Sequence, residues 1–267
     1  IRGTHLYKRI FIGTSGYSYK DWQGVLYPEA LPQTEYLRYY ALQFPFVELN
    51  FSYYTMPARK ALESLIAKTP ASFQFSIKAY KALTHERSAD WKNLATSFLQ
   101  NIEPLADHHQ LAGVLIQLPY SFHYEQENRQ YLSYLLDALS SVPCFVEFRN
   151  AGWFTDRTYE TLDKRKVGLV MVDAPEIRGL PRPLNLVTGG KAYIRMHGRN
   201  AQNWWEGDAT TRYDYDYSTE ELENWLPRIF SMAQKAMLFI AFNNHARGNA
   251  VKNAKQLTEL IQTRAPA

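Results

Sequence analysis

The sequence predicts an α/β protein folded as a single (β/α)8 barrel of the TIM type. Apolar β-segments alternate with amphipathic helical segments along all 267 residues, and eight such units can be counted without a linker or a composition break. Strict alternation predicts a parallel sheet with helical crossovers, and eight units suit a closed barrel. An open, doubly wound sheet is the alternative. It would need a glycine-rich nucleotide turn, and neither a G-x-G-x-x-G nor a Walker motif is present.

Short runs rich in β-branched and aromatic residues predict the strands. In chain order they cover residues 10–14, 46–52, 73–79, 113–118, 144–149, 168–172, 191–197 and 238–242. Apolar residues at helical spacing predict the helices between them. These helices cover residues 34–44, a segment opened by Pro57, a segment from about Ser88, residues 125–139, a short helix capped by Thr155, a helix opened by the Ser218 capping box, and a final helix carrying Val251, Ala254, Leu257 and Leu260.

Two segments depart from this alternation. Residues 174–190 contain three prolines and three glycines and lack a helical period, so an irregular loop is expected in place of a full helix after strand 6. Residues 198–217 form a long loop rich in tryptophan and tyrosine. Aromatic side chains in a loop suggest either a stacking surface for a sugar ring or a base, or a cap on the hydrophobic core.

Composition limits the classes of function. The net charge of +4 is compatible with an anionic ligand but is too small to indicate nucleic acid by itself. No stretch approaches the roughly 18 apolar residues of a membrane span, so no membrane partner is expected. A single cysteine, Cys144, excludes internal disulfides and fits a reducing, cytoplasmic setting. One domain is expected over residues 1–267, with residues 1–9 as an N-terminal extension that is either native or left from cloning.

Polar pairs at the ends of three apolar strands are the main functional signal. Side chains two positions apart share one face of a strand, so each pair points to the same side. The pairs are Glu48 and Asn50, Glu147 and Arg149, and Arg195 and His197. Charges on a buried strand are costly unless they pair or open into a wet site. A self-satisfied network closing the barrel is one outcome, and a functional site is the other.

Active sites of such barrels lie at the carboxyl ends of the strands, which is where these side chains fall. The candidate catalytic residues are Glu147, His197, Glu48 and Asp173. The candidate substrate-binding residues are Arg149, Arg195, Lys78, Asn50, Gln117, Asn243, Asn244, His85, Tyr17 and Trp22. Arginine and lysine bind phosphate or carboxylate, while a carboxylate and an imidazole serve as base and acid. The pattern therefore favours an enzyme that performs acid/base chemistry on an anionic substrate, phosphorylated or sugar-containing.

Two alternatives remain open on the sequence. Glu48, Glu147, Asp173 and His197 could hold one divalent metal ion for a hydrolase or isomerase. Neighbouring arginines would compete with that ion and no H-E-x-x-H motif is present, so no metal ligand and no cofactor is assigned. A basic, aromatic mouth could instead bind nucleic acid. It would use Lys20, Lys81, Arg87 and Arg199 with Trp22, Trp204 and Trp205.

Motifs along nearly the whole chain resemble the YecE-like family, domain of unknown function 72. They lie at residues 12–22, 47–50, 84–86, 117–119, 146–149, 197–199 and 242–244, followed by Gly248, Ala250 and Asn253. The resemblance implies a TIM-barrel-like fold in a cytoplasmic bacterial or archaeal protein, and no established reaction. The family often has His and Ser after the Glu-Phe-Arg of the fifth strand, where this chain has Asn150 and Gly152. The family's fold is similar to that of metal-dependent abasic-site endonucleases, but only His85, His197 and His245 fall near the mouth, which disfavours that trinuclear mechanism.

Overall fold

Eight parallel strands close into a barrel in sequence order, with the last strand paired to the first. The computed structural model describes residues 8–264, so residues 1–7 of the expected N-terminal extension lie outside the described part of the chain. Strands β1 to β8 are Ile10–Ser15, Phe46–Leu49, Gln74–Lys78, Leu111–Leu118, Cys144–Phe148, Gly168–Asp173, Lys191–Met196 and Met237–Phe242. The predicted (β/α)8 fold is confirmed.

Helices cover the outside of the barrel. Helices α1 to α11 are Tyr36–Gln43, Phe51–Tyr54, Arg59–Ile66, Lys81–Thr84, Trp91–Asp107, Gln126–Ala138, Asp156–Lys164, Ala209–Arg212, Thr219–Glu223, Leu226–Lys235 and Asn249–Arg264. Single 3-10 turns occur at Lys20–Trp22, Gln33–Glu35, Ala151–Trp153 and Ala246–Gly248. The segment between β6 and β7 has no helix, as its proline and glycine content predicts. No helix within residues 8–264 is both long and apolar enough to cross a membrane.

The predicted caps are confirmed, and two predicted element bounds are corrected. The Thr155 side chain accepts a bond from the Thr158 amide, and Ser218 forms a full capping box with Glu221. Strand β2 stops at Leu49, because the chain turns at once into α2, where the Ser52 hydroxyl donates to the carbonyl of Lys78 at 2.6 Å. The helix predicted after Ser218 is two helices, α9 and α10, since a proline in the first turn of α10 restarts the helix.

Aromatic side chains fill the lower part of the barrel interior. The Phe46 and Phe239 ring centroids lie 5.2 Å apart, and those of Phe145 and Tyr193 lie 4.9 Å apart. All four residues are fully buried. Because side chains alternate along a strand, the next inward position on each strand lies one layer higher, towards the carboxyl end. The aromatic layer is therefore the base on which the polar residues of the site rest.

Two glycines make room for Phe145 in this layer. A Cβ atom built on Gly113 in β4, or on Gly168 in β6, would lie 2.6 Å from the Phe145 ring. Real Cβ atoms do not approach that closely, so a side chain at either position would force the ring or the strand to move. The large Phe145 side chain on β5 therefore requires a glycine on each of the two neighbouring strands.

Gly113→Ala is expected to lower the free energy of unfolding by about 1–3 kcal/mol, because the methyl group overpacks the interior against Phe145. Urea denaturation measures the loss. Gly152→Ala, in the 3-10 turn after β5, is the control and should lose less stability. The atom nearest to its added methyl group belongs to the Asn150 side chain, at 3.0 Å. The double variant Gly113→Ala/Phe145→Leu should lose less than the sum of the single variants. Strictly additive losses would show that Phe145 is not the steric partner.

Candidate functional site

Inward-facing residues at the carboxyl ends of the strands line a cavity of about 610 Å³. Seven of the ten residues predicted to bind substrate lie on its wall: Asn50, Lys78, His85, Gln117, Arg149, Arg195 and Asn243. They come from three strands, β3, β4 and β7, and from the segments that follow β2, β3, β5 and β8. The convergence expected from the two-residue spacing is therefore present, and it defines one candidate site.

A buried ion network forms the floor of this cavity. Arg195 donates through Nε and Nη2 to both oxygens of Glu48, at 2.9 and 2.6 Å. Its Nη1 donates to Glu147 at 2.6 Å. Both carboxylates are fully buried, and Arg195 is 2% exposed. Tyr193 completes the shell of Glu48 by donating to Oε2 at 2.7 Å. One guanidinium thus ties together β2, β5 and β7.

The charges of this network are fixed by one another. Burial alone would raise the pKa of Glu48, but Arg195 outweighs it and holds that pKa below its ordinary value. Burial likewise opposes ionisation of Glu147, yet Arg149 and Arg195 hold its pKa well below the ordinary value. Both carboxylates are consequently ionised and paired with arginine. They lie beneath the part of the cavity wall that a bound molecule would touch.

His197 belongs to the same buried layer. Its Nε2 donates to Glu147 at 3.1 Å, and its Nδ1 accepts from the Asn243 amide at 3.0 Å. The residue is fully buried, and the Tyr213 ring stacks on it at 5.5 Å. Burial, and then the charge of Arg149, lowers the pKa of His197 to about 3, so the imidazole is neutral. The structure places the predicted catalytic residues Glu48, Glu147 and His197 in this buried layer under the cavity floor, and a catalytic role for them stays a prediction.

Asp173 is the one predicted catalytic residue that lies on the other side of the sheet. It accepts bonds from Tyr217 and from the Trp225 indole, both at 2.7 Å, and pairs with Arg199 at 2.7 Å. Val172 points into the barrel, so its neighbour Asp173 must point outwards. The expectation that Asp173 joins the other carboxylates is corrected: it fastens β6 to the helices outside.

Three predicted substrate-binding residues also lie away from the cavity. Trp22 is fully buried, and its indole donates to the carbonyl of His245 at 2.9 Å. Asn244 is fully buried on the outer side of β8 and donates to Asn253 at 2.8 Å. Tyr17 packs at 6.2 Å from the Tyr40 ring. All three support the loops around the mouth, which corrects the prediction that they touch the ligand.

Lys78 differs from the other cations of the site. Its ammonium lies 4.2 Å from the centre of the Tyr53 ring, and it makes no hydrogen bond or ion pair with any residue in the described range. Burial, followed by the charges of Arg195 and Arg149, lowers the pKa of Lys78 to about 7. Glu48 and Glu147 offset this only in part, because Arg195 already occupies them. The Lys78 amine is therefore more readily deprotonated than that of an exposed lysine.

His85 lies beside Lys78 across the same tyrosine. Its ring centre is 4.9 Å from that of Tyr53, and its Nδ1 lies 2.9 Å from the Thr84 hydroxyl. Burial, and then the charges of Lys78 and Arg149, lowers the pKa of His85 to about 4. The imidazole is thus neutral at physiological pH, and it can accept a proton or a hydrogen bond from a ligand in the cavity.

The aromatic loop between β7 and α9 supplies residues that were not predicted as site residues. Tyr213 accepts a bond from Arg149 at 3.4 Å, and the Arg149 guanidinium lies 5.7 Å from the Trp204 ring centre. Burial would raise the pKa of Tyr213, but Arg149 lowers it below 10. Arg212 also lines the cavity, and its buried Nε has no partner in the described chain. The clustering of aromatic residues in 198–217 predicted a stacking surface in this loop, but Tyr213 and Arg212 were not among the candidate site residues.

The ligand set proposed for a divalent metal is not assembled. Asp173 faces outwards, and the guanidinium of Arg195 sits between Glu48 and Glu147, where a cation would have to bind. Throughout residues 8–264, no three side chains of His, Cys, Asp or Glu are grouped so that they could hold a metal ion. The donors that remain on the cavity wall suit an anion better than a cation.

The fold and the site define a (β/α)8-barrel protein with a cationic, aromatic-lined cavity at the carboxyl end of its strands. The chain belongs to the family described as Protein of unknown function DUF72, whose model matches residues 11–267. The resemblance noted from the sequence motifs to domain of unknown function 72 is thereby confirmed.

Relatives match over almost their whole length. UPF0759 protein YunF of Bacillus subtilis is 33% identical over an alignment of 269 residues, which covers 94% of this chain and 94% of that one. The crystal structure of a DUF72 family protein from Thermotoga maritima is 36% identical and has a TM-score of 0.87, covering 95% of this chain and 99% of that one. A second, from Enterococcus faecalis, is 27% identical with a TM-score of 0.84 and covers 95% of each chain.

Arg195→Met is expected to destabilise the protein by about 3–5 kcal/mol, because it leaves the buried Glu48 without its cation and Glu147 with Arg149 as its remaining arginine. The free energy of unfolding in urea measures this effect. Arg59→Met is the control, since Arg59 pairs with Glu63 and Glu103 on the surface and is 46% exposed. That variant should change stability by no more than about 1 kcal/mol. Equal losses in the two variants would contradict the buried network.

Lys78→Met is expected to stabilise the protein at pH 7 and to lose that advantage as the pH rises. The folded pKa of about 7 lies below the ordinary 10.5, so the unfolded chain binds more protons between these values and stability rises with pH in the parent protein. The variant lacks this dependence. Urea unfolding at pH 7.0 and 9.5 should show the difference shrinking by about 1–3 kcal/mol. A constant difference would show that the pKa of Lys78 is not lowered.

Proposed function

We propose that the cavity is an active site in which a small anionic molecule, phosphorylated or sugar-containing, undergoes acid/base chemistry. The observation that carries this proposal is the separation of charge by depth. Lys78, Arg149 and Arg212 line the cavity, while Glu48 and Glu147 are buried below it and paired with Arg195 and Arg149. A ligand therefore meets cations, amide groups and, among the described residues, the single carboxylate of Asp208, and it has no access to the buried carboxylates.

The walls provide a place for the rest of such a molecule. Tyr19, Tyr53, Tyr120, Trp204 and Trp205 line the cavity. Flat aromatic faces bind the apolar side of a sugar ring or a base, while fixed polar groups select its orientation. The Asn50 Oδ1 atom is buried and has no partner in the described chain, which favours a role in accepting a bond from a ligand hydroxyl.

Lys78 and Tyr213 are the best candidates for moving protons. The pKa of Lys78 is about 7, and the efficiency of a general acid or base is greatest when its pKa lies near the working pH. Arg149 lowers the pKa of Tyr213, which makes its hydroxyl a stronger acid. His85 completes the group as a neutral imidazole. The buried Glu147 and His197 would act as positioning residues for Arg149 and Asn243.

The nucleic-acid alternative is less well supported. Arg87 bonds to Asn128 at 2.7 Å, Arg199 pairs with Asp173, and Lys81 pairs with Glu86 at 2.8 Å. Cations held by neighbouring side chains contribute little to phosphate contacts with a long polymer. A steep dependence of DNA affinity on salt, reduced by changes at Lys20 and Lys81, would favour this alternative.

Inorganic phosphate and ribose 5-phosphate should bind the parent protein in calorimetric titrations, and ribose should bind more weakly. Arg149→Met is expected to weaken phosphate binding by about tenfold or more, because a charge-assisted bond contributes about 1.5–3 kcal/mol. Arg129→Met, which removes a cation lying 4.8 Å over Tyr124 outside the cavity, should leave binding unchanged. Affinity for sulfate, which keeps its charge in this range, should rise as the pH falls through 7, because Lys78 gains its proton there. Absence of phosphate binding, or equal loss in both variants, would contradict the proposal.

A further inference from the structure

We propose that Lys78 acts as a nucleophilic amine, forming an imine with the aldehyde or ketone carbon of a phosphorylated or carboxylated substrate. This inference rests on the function proposed above and names the reaction class and the substrate class of the same cavity. It requires an amine that faces the cavity, carries no acid partner and lies beside groups able to hold the anionic end of the substrate.

The position of Lys78 meets the first requirement. It is the last residue of β3, and its side chain reaches the cavity wall together with Arg149 and Asn50. A residue at the end of a barrel strand is held by the sheet, so the amine is presented at a fixed place. The Tyr53 ring lies 4.2 Å from the ammonium and shields one side of it. The amine is thus directed by its surroundings and is not a mobile surface group.

The bonding of Lys78 differs from that of other lysines in the chain. Lys81 pairs with Glu86 at 2.8 Å, and Lys191 donates to the carbonyl of Ala112 at 2.9 Å. Lys78 has neither kind of partner within residues 8–264, and Glu48, which lies near enough to influence it, is already bound by Arg195. Lys78 is partly buried, and a partly buried cation without an acid partner destabilises the fold, so its presence calls for a reason other than packing.

The protonation of Lys78 agrees with this role. Only a neutral amine attacks a carbonyl carbon, and lysines become nucleophilic when they are desolvated beside another cation. Burial, Arg195 and Arg149 lower the pKa of Lys78 to about 7, against the pull of Glu147 and Glu48. His85, the other titratable group beside it, is neutral. A much larger fraction of Lys78 than of exposed lysines is therefore free amine at neutral pH.

The reaction balances without a further reactant. The nitrogen lone pair adds to the carbonyl carbon, and the carbon–oxygen π bond breaks to give a carbinolamine. The carbon–oxygen σ bond then breaks, and the nitrogen lone pair forms the carbon–nitrogen double bond. Counted from the ammonium, two protons leave with the oxygen as one water molecule, and the iminium keeps the third proton and the positive charge. The Tyr213 hydroxyl, on the same wall, is suited to protonate the departing oxygen.

Reductive trapping tests this proposal. The full chain is incubated at pH 7 with D-glyceraldehyde 3-phosphate and sodium cyanoborohydride, and adducts are located by peptide mass spectrometry. Lys78 should be labelled at least about tenfold faster than the exposed lysines, because far more of it is unprotonated. D-Glyceraldehyde should label Lys78 more slowly, and added inorganic phosphate should protect it. Lys78→Arg should abolish the rapid labelling, while Lys60→Arg, on the outer helix α3, should not alter it.

The outcomes separate this inference from the function on which it rests. Labelling of Lys78 at the rate of exposed lysines, in a protein that binds phosphate in the cavity, overturns the imine and leaves the anion site standing. Rapid labelling of Lys78 by both aldehydes without protection by phosphate supports the amine and contradicts the anion site. Slow labelling together with no phosphate binding overturns both. Because the labelling rate is read on the parent protein, the test does not depend on whether a variant folds.

Discussion

The structure of the site depends on one interaction, the buried contact of Arg195 with Glu48 and Glu147. Each of these charges would be costly alone in the barrel interior, and with Arg149, which also pairs with Glu147, two positive and two negative charges neutralise one another through short, charge-assisted bonds. The contact joins three strands one layer above the aromatic side chains. It therefore fixes the height and shape of the cavity floor and sets the charge of everything above it.

The consequence for function is that the two carboxylates have no capacity left for Lys78. Arg195 takes both oxygens of Glu48 and one of Glu147, and Arg149 pairs with the other oxygen of Glu147. The ammonium of Lys78 consequently contacts the Tyr53 ring in place of an acid. A chain selected only for stability would place an acid or an apolar residue there, so this arrangement favours function.

Sequence reasoning placed Glu48, Glu147, Arg149, Arg195 and His197 together correctly because their spacing of two residues fixes a common face. The same rule, applied to strand 6, would have turned Asp173 outwards once Val172 was known to point in. That knowledge depends on which face of each strand meets the barrel axis, and a wholly apolar strand such as 168–172 does not reveal it. Trp22 and Asn244 were misplaced for a related reason, since polar and aromatic residues in loops serve as supports as readily as ligands.

The sequence by itself determined the barrel, the order of its strands, the absence of a helix after β6 and the rim at which polar side chains gather. These follow from local periodicity and from the one-way geometry of parallel strands. Only the tertiary structure decided depth: which groups lie under the floor, which face the cavity, and which of them lack a partner. The depth of a side chain below the cavity is set by contacts between residues far apart in the chain, such as Arg195 with Glu48. Local sequence patterns do not predict these contacts. The lowered pKa of Lys78, which supports the proposed chemistry, results from these long-range contacts.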